Sequence, residues 1–136
     1  MKKRYIAWIL ILWATLFFCT AVQAEEQKYC PLCSMNLKMF WKTNQRLTFS
    51  DGKRRGYCSI HCASIVYQKN PTGIDRWEVA DYDTNKLVDG RKAHFLSGSD
   101  LPGTMTPVSK LAFASLDVAK RYQKEHGGDI GTLDDA

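Results

Sequence analysis

The sequence lacks the charge excess of a nucleic-acid-binding protein. Its formal net charge of +5 includes three basic residues in the first 24 positions, so the remainder carries 16 basic and 14 acidic residues. It also lacks any stretch of disordered composition, because 45% of its 136 residues are hydrophobic and only 24% are charged. At this length there is little room for a second large core. These absences predict one small globular domain that does not bind nucleic acid.

The first 24 residues have the composition of an export signal. Basic residues precede an uncharged stretch from Tyr5 to Val22, and small residues lead to Ala24, where a signal peptidase cleaves. The sequence therefore predicts export, with a signal peptide over 1–24 and a mature metal-binding domain over 25–136. An uncleaved membrane anchor stays open, since the stretch approaches the length that spans a bilayer. Lipidation of Cys19 also stays open, although the bulky Phe18 precedes it.

The order of predicted elements indicates two similar halves, over 25–85 and 86–136. Each half has extended segments, a helix and a closing strand, and the tripeptide Tyr-Gln-Lys occurs late in both helices. The pattern predicts an α+β fold of duplicated ββαβ units, in which antiparallel strands are covered by helices. The basic run at 53–55 is interpreted as a solvated hairpin strand. The predicted strands are 46–50, 53–57, 75–82, 108–114 and 130–133, and the predicted helices are 59–69 and 115–126.

Four cysteines follow the signal, as Cys30-x2-Cys33 and Cys58-x3-Cys62. A cysteine knuckle followed by two thiols at the start of a helix is the spacing of a treble-clef-like four-cysteine metal site. The helix N-terminus is expected to lower the pKa of its thiols, and His61 lies on the same side of the predicted helix. In an exported protein the same cysteines are also consistent with two disulfides. The ordinary metal for such a site is zinc.

Two methionines favour a softer metal. Cys33 and Met35 place a thiolate and a thioether two residues apart, and Cu(I) prefers these donors, whereas zinc and disulfides have no use for a thioether. Met105 lies in a loop rich in glycine and proline, 98–107, where it is either a third ligand or a packing residue. The sequence therefore favours a Cu(I) site that contains Cys33 and Met35.

Several motifs follow one another along the chain: Cys30-Pro31-Leu32-Cys33-Ser34-Met35, Phe49-Ser50-Asp51-Gly52, Tyr57-Cys58-Ser59-Ile60-His61-Cys62-Ala63, Ala93-His94-Phe95-Leu96-Ser97-Gly98-Ser99, Gly103-Thr104-Met105, and Ala112-Phe113 with the later His126-Gly127-Gly128. In this order they resemble the NosL family, accessory copper chaperones of nitrous oxide reductase. The resemblance implies paired ββαβ units, a topology also found in organomercurial lyase, and a periplasmic or outer-membrane-anchored protein that is not an enzyme.

The resemblance also implies the cargo and its destination. Family members bind Cu(I) through a Cys-x-Met pair, which Cys33 and Met35 match, and Met105 matches a methionine proposed nearby. They deliver copper for the copper-sulfide cluster of nitrous oxide reductase. The expected Cu(I) site is open and of low coordination, with Met105, His61 or water as its weak third ligand. Copper is expected to leave this site by ligand exchange with a partner.

Three departures from the family pattern leave questions open. The lipoprotein cysteine common in the family lacks a good context here. Ser34 stands where glycine is frequent, a change that the turn absorbs if the φ of Ser34 is negative. The set of Cys30, Cys33, Cys58 and Cys62 exceeds the minimal pair, which is consistent with a second thiolate site or a structural zinc.

Other functions are consistent with parts of the pattern. The four cysteines also suit a binding module stapled by zinc or disulfides. Cys30 and Cys33 have the spacing of a thiol oxidoreductase pair. An enzyme similar to organomercurial lyase needs an acid beside two cysteines, for which Asp51 and Asp100 are the candidates. The sequence also leaves open whether the chain forms a homodimer across its copper site.

Overall fold

The computed structural model describes residues 27–136. The predicted signal, its cleavage site and Cys19 lie outside the described residues. Within the described range, neither helix has the length and apolar character needed to cross a membrane. The range contains two antiparallel sheets and two α-helices, which belong to two successive units.

The first unit consists of a β-hairpin, a helix and a third strand, with a short fourth strand at the sheet edge. In chain order these are β1 (Gln45–Phe49), β2 (Arg54–Tyr57), α1 (Ile60–Lys69), β3 (Ile74–Ala80) and β4 (Leu87–Asp89). The strand order in the sheet is β2-β1-β3-β4, and every neighbouring pair is antiparallel. Two 3-10 turns, Trp41–Thr43 and Pro71–Gly73, precede β1 and β3.

The second unit repeats this arrangement with a three-stranded sheet. Its elements are β5 (His94–Ser97), β6 (Lys110–Phe113), α2 (Leu116–His126) and β7 (Asp129–Gly131). The strand order is β6-β5-β7. In both units the first strand is central, with its hairpin partner on one side and the strand after the helix on the other. This confirms the α+β fold and the duplicated ββαβ units.

Both helices begin at a serine that caps the first turn. The side chain of Ser59 accepts the N–H of Cys62, and the side chain of Ser115 accepts the N–H of Val118. Such caps satisfy backbone donors that have no partner inside the helix and contribute about 1 kcal/mol each. Helix α2 ends at Gly127, whose φ of 70° is favourable for glycine. The predicted helix starts agree with these caps.

The two units share an interior through the central strand of the second sheet. Phe95 of β5 packs in the core cluster of the first unit, whereas its neighbour Leu96 packs in the cluster of the second. A parallel bridge joins Asp81 to Ala112, and the N–H of Tyr82 donates to the carbonyl of Ala112 at 2.8 Å. These contacts fix the second unit against the end of β3.

Strand β4 was not predicted from the sequence. It has only three residues, too few for an alternating pattern, and it pairs with the edge of β3. The first sheet therefore includes residues beyond position 85. Strand β6 begins at Lys110 rather than at residue 108, because its pairing with β5 starts at Ser97 and Lys110, and the next residue after β5, Gly98, leaves the extended conformation with a φ of 75°.

Candidate metal centre

The first cysteine pair lies on a tight turn between Tyr29 and Asn36, which pair as an isolated antiparallel bridge. Inside the bridge, the N–H of Cys30 donates to the carbonyl of Met35 at 2.9 Å, and the N–H of Ser34 donates to the carbonyl of Cys30 at 2.8 Å. Ser34 has a φ of 62°. A serine in place of glycine was expected to be tolerated here if its φ were negative, and the positive value does not meet that expectation. The left-handed conformation of Ser34 costs about 1 kcal/mol relative to an ordinary one.

The second cysteine pair brackets the N-terminus of α1. Cys58 follows β2 directly, and Cys62 lies in the first turn of the helix. The Thr43 hydroxyl donates to the carbonyl of Cys58 at 2.8 Å and shares a second hydrogen bond of 2.9 Å with the Thr104 hydroxyl. These bonds hold the backbone of Cys58 against the loop that carries Met105.

The four cysteine sulfurs converge. Cys58 Sγ lies 3.4 Å from Cys33 Sγ and 3.7 Å from Cys62 Sγ, and all four Sγ atoms lie within 4.8 Å of one another. Sulfurs around a tetrahedral ion with bonds of about 2.3 Å are about 3.8 Å apart, so this set fits a four-coordinate metal. All four cysteines are free thiols. Three are at most 1% exposed, whereas Cys33 is half-buried, so Cys33 is the thiol that a second molecule can reach.

Three further ligands were predicted, namely Met35, Met105 and His61, and they differ in their surroundings. The sulfur of Met35 is 3.8 Å from Cys58 Sγ, so the structure brings the thioether and the thiols together. Met105 is 43% exposed and adjoins Thr104 in a left-handed backbone conformation. His61 lines a cavity of about 790 Å³ between the two units and is not part of the four-cysteine cluster.

Neither candidate acid is part of the thiol cluster. Asp51 pairs with Lys53 at 2.7 Å in the β1–β2 turn, and Asp100 pairs with the Nδ1 atom of His126 at 2.8 Å. The group of clustered ligands in the described part of the chain consists of cysteines alone. Asp51 and Asp100 are thus held in ion pairs outside the four-cysteine cluster.

The thiols differ in acidity. Burial raises the pKa of Cys30, but hydrogen bonds from the backbone N–H groups of Cys58, Leu32 and Cys33 together lower it by more. The resulting pKa is about 7, against an ordinary value of 9.0. Burial, with a smaller contribution from Cys33, raises the pKa of Cys62 to about 11. Burial also raises the pKa of Cys58. The expected lowering of thiol pKa at the helix N-terminus is therefore wrong for the second pair, and the knuckle holds the acidic thiol.

The reduced, metal-free protein is expected to be most stable near pH 9. The pKa of Cys30 is lower in the folded state, so its contribution is complete above pH 9 and is lost as the pH falls through 7. The pKa of Cys62 is raised, so its contribution is complete below pH 9 and is lost as the pH rises through about 11. Urea unfolding should give a free energy of unfolding about 2 kcal/mol higher at pH 9 than below pH 7.

The variant Cys30→Ser is the control for this pH dependence. It removes the acidic thiol, so the rise in stability between pH 7 and pH 9 should be absent. A wild-type free energy of unfolding that is constant or falls over this interval would contradict the low pKa of Cys30.

Sequence reasoning missed Thr43 and Thr104. Thr43 is buried, and its hydroxyl reaches Cys58 across 15 positions and Thr104 across 61. No local pattern reports contacts over such separations. The sequence indicates Thr104 only through its position beside Met105, a candidate metal ligand.

Known proteins share this fold and sequence pattern. Residues 21–136 match the family described as NosL. The crystal structure of the copper chaperone NosL from Shewanella denitrificans superimposes with a TM-score of 0.67 at 18% identity, covering 79% of this chain and 88% of that one. The HTH-type transcriptional repressor CutR of Bacillus subtilis (strain 168) is 29% identical over 79 residues, which are 58% of this chain. That match spans only 42% of the repressor.

Proposed function

Because the chain belongs to the NosL family, we propose that it is a Cu(I) metallochaperone, which binds copper in its sulfur cluster and delivers it to a copper-dependent enzyme. The observation that carries the proposal is the meeting of four thiols and one thioether around Cys58, with the Met35 sulfur 3.8 Å away. Cu(I) prefers both kinds of sulfur, whereas zinc sites rarely use thioether. The copper chaperone from Shewanella denitrificans has the same fold.

The proposed donors are Cys33 and Met35, completed by Cys58. Cys58 Sγ lies 3.4 Å from Cys33 Sγ and 3.8 Å from the Met35 sulfur, so these three atoms can face one ion. This supports Cys58 as the third ligand ahead of His61, which lines the cavity instead. Binding displaces the thiol protons, because metals take the thiolate form of cysteine.

Copper release is proposed to begin at Cys33. Cys33 is the half-buried member of the cluster, and a sulfur or imidazole of a partner can replace it without opening the buried thiols. The proposed recipient is nitrous oxide reductase and the proposed location is the periplasm, as the family membership and the leader suggest. The protein itself performs no reaction in this proposal. Membrane attachment is proposed only through an uncleaved leader or a lipidated Cys19.

A structural zinc site is the second candidate function. Its support is the closed arrangement of four thiols, three of them buried, at separations that suit a tetrahedral ion. In that case all four cysteines would matter for folding and Met35 would not. The two candidates therefore differ in what they predict for the thioether.

Native mass spectrometry tests the choice. Mature protein purified without oxygen is given Cu(I) beside a competing chelator, and the wild type should retain one copper. Met35→Leu should weaken retention about tenfold or more while the fold persists, because it removes one soft ligand and keeps the volume. Met39→Leu is the matched control, since Met39 is 75% exposed, and it should behave as the wild type.

Two results would count against the copper proposal. One is zinc retained by the wild type and by both variants, which would leave a structural module. The other is a metal-free mass lighter by four hydrogens, which would show two disulfides in place of a metal site.

A further inference from the structure

We propose that the surface around Cys33 is a docking face for an acidic protein surface on the copper-exchanging partner. We call it the knuckle face, and it consists of Lys28, Tyr29, Leu32, Lys38, Met39 and Arg55. The proposal rests on the proposed function in one respect, because it takes Cys33 as the atom through which copper is exchanged.

Backbone contacts bring these residues onto one surface. The N–H of Leu37 donates to the carbonyl of Lys28 at 2.9 Å, so Lys28 and Lys38 lie on neighbouring segments. The Gln27 side chain makes two hydrogen bonds of 2.8 Å with the backbone of Gly56, which joins the knuckle to β2 beside Arg55. The knuckle and the exposed edge of the first sheet therefore form one continuous surface.

The net positive charge of the mature chain is concentrated in residues 25–74, which include the knuckle face. Residues 25–74 contain eight basic and three acidic residues, a formal charge of +5, whereas residues 75–136 contain eight basic and eleven acidic residues, a formal charge of −3. Within residues 27–136, no carboxylate lies within 4.0 Å of Lys28, Lys38 or Arg55. Within this described range, the charges of Lys28, Lys38 and Arg55 are thus not neutralised by an ion pair.

Apolar side chains stand between these charges. Tyr29, Leu32 and Met39 are 56%, 42% and 75% exposed, an unusual concentration within eleven residues of a small domain. An apolar centre with a charged rim is the usual composition of a protein interface. The combination favours a protein partner over a free anion, which has no use for the apolar residues.

A groove beside the knuckle extends the same face. It has a volume of about 370 Å³ and is lined by Leu32, Phe49 and Val66, with Arg55 and the ion pair of Lys53 and Asp51 at its side. Lys53 immediately precedes β2 and pairs with Asp51, whereas Arg55 lies on β2, so the net positive charge beside the groove comes from Arg55. The basic run at 53–55 was interpreted as a solvated strand, and basic residues do protect an edge strand from pairing. That explanation does not cover Lys28 and Lys38, which lie outside β2.

Opposite charges on this protein and its partner would promote copper transfer between them. Complementary fields raise association rates and orient the encounter, and both effects weaken as salt screens the charges. Because Cys33 lies within the knuckle, an oriented encounter brings the partner's metal ligands to the exchangeable copper bond. The negative half of the chain would at the same time disfavour docking in the reverse orientation.

Two labelled peptides test the proposal on the full mature chain. Both carry the same methionines and histidine, flanked by glutamates in one peptide and by lysines in the other. Fluorescence anisotropy at low salt should show the acidic peptide binding about tenfold more tightly or better, with the preference shrinking as salt is added. Chemical shift changes should fall on residues 28–39 and 53–57.

Matched charge reversals localise the effect. Lys28→Glu with Lys38→Glu should abolish the preference for the acidic peptide, whereas Lys120→Glu with Lys124→Glu, the same change on exposed positions of α2, should keep it. Equal binding of the two peptides, or equal loss in both double variants, would overturn the proposal. Binding to phosphatidylglycerol vesicles without binding to the acidic peptide would also overturn it and would assign the face to a membrane.

Copper retention is measured separately on the same proteins. Native mass spectrometry should show wild-type Cu(I) retention in both double variants, because neither removes a sulfur donor. If the wild type did not bind Cu(I), the proposed function would be wrong. The peptide experiment uses the metal-free protein and would still decide whether the knuckle face is a docking face.

Discussion

Replacing Cys58 with alanine is expected to lower the Cu(I) affinity about a thousandfold, which corresponds to about 4 kcal/mol. The reason is the central position of its sulfur, which lies within 3.8 Å of the sulfurs of Cys33, Cys62 and Met35. Removing it takes away a sulfur that lies beside both Cys33 and Met35. Competition with a Cu(I) chelator under anaerobic conditions measures the loss.

The fold of the metal-free Cys58→Ala protein is expected to persist. Cys58 is fully buried and has a raised pKa, so it packs as a small neutral side chain, and its truncation costs about 1 kcal/mol. Circular dichroism and urea unfolding of the metal-free variant separate lost ligation from lost structure. A Cu(I) affinity close to that of the wild type would remove Cys58 from the site and leave the minimal pair of Cys33 and Met35.

Replacing Gly128 with alanine is expected to destabilise the protein by about 3 kcal/mol, the largest effect on folding among the substitutions considered. Gly128 has a φ of 91°, and a Cβ placed on it would lie 2.6 Å from the carbonyl oxygen of Ser97 and 2.9 Å from the backbone N of Ser99. Both obstacles are backbone atoms at the end of the central strand β5, so neither can move cheaply. The left-handed conformation adds about 1 kcal/mol or more.

Gly52→Ala is the matched control. Gly52 also has a positive φ, 80°, but nothing lies within 4 Å of a Cβ placed there. Its substitution should therefore cost only the conformational penalty of about 1 kcal/mol. Equal free energies of unfolding for the two alanine variants would show that the contact with β5 is not the cause of the larger effect.

The repeated fold was predictable because its signals are local. Ser59 and Ser115 mark the starts of both helices, and Asp51 with Gly52 marks the hairpin turn. The packing of Phe95 and Leu96 into different clusters was not predictable, since it depends on how the second sheet meets the first. Strand β4 escaped prediction because a three-residue edge strand is defined by its partner and not by its own sequence.

The convergence of the four cysteines was predictable from the sequence, whereas the acidity of their thiols and the position of His61 were not. The spacing of the cysteines suggested a four-thiol site, and the thioether of Met35 does lie beside it. Burial, with a smaller contribution from the hydrogen bond to Cys33, raises the pKa of Cys58, and both causes depend on tertiary packing. The cavity position of His61 likewise depends on tertiary packing, because residues of the second unit, including Lys110 and Leu133, form part of the cavity wall.

The second core cluster of the chain contains no sulfur. Its buried members are Leu96, Leu111, Phe113 and Ala119, and the positions that correspond to Cys58 and Cys62, counted from the helix caps, hold Ala114 and Val118. This second cluster is therefore assembled from side chains that are indifferent to redox state and to metal supply. A carrier spends part of its life empty, and an unfolded empty carrier is lost to proteolysis. In the proposed role as a carrier, the duplication would favour persistence of the protein while its metal site is empty.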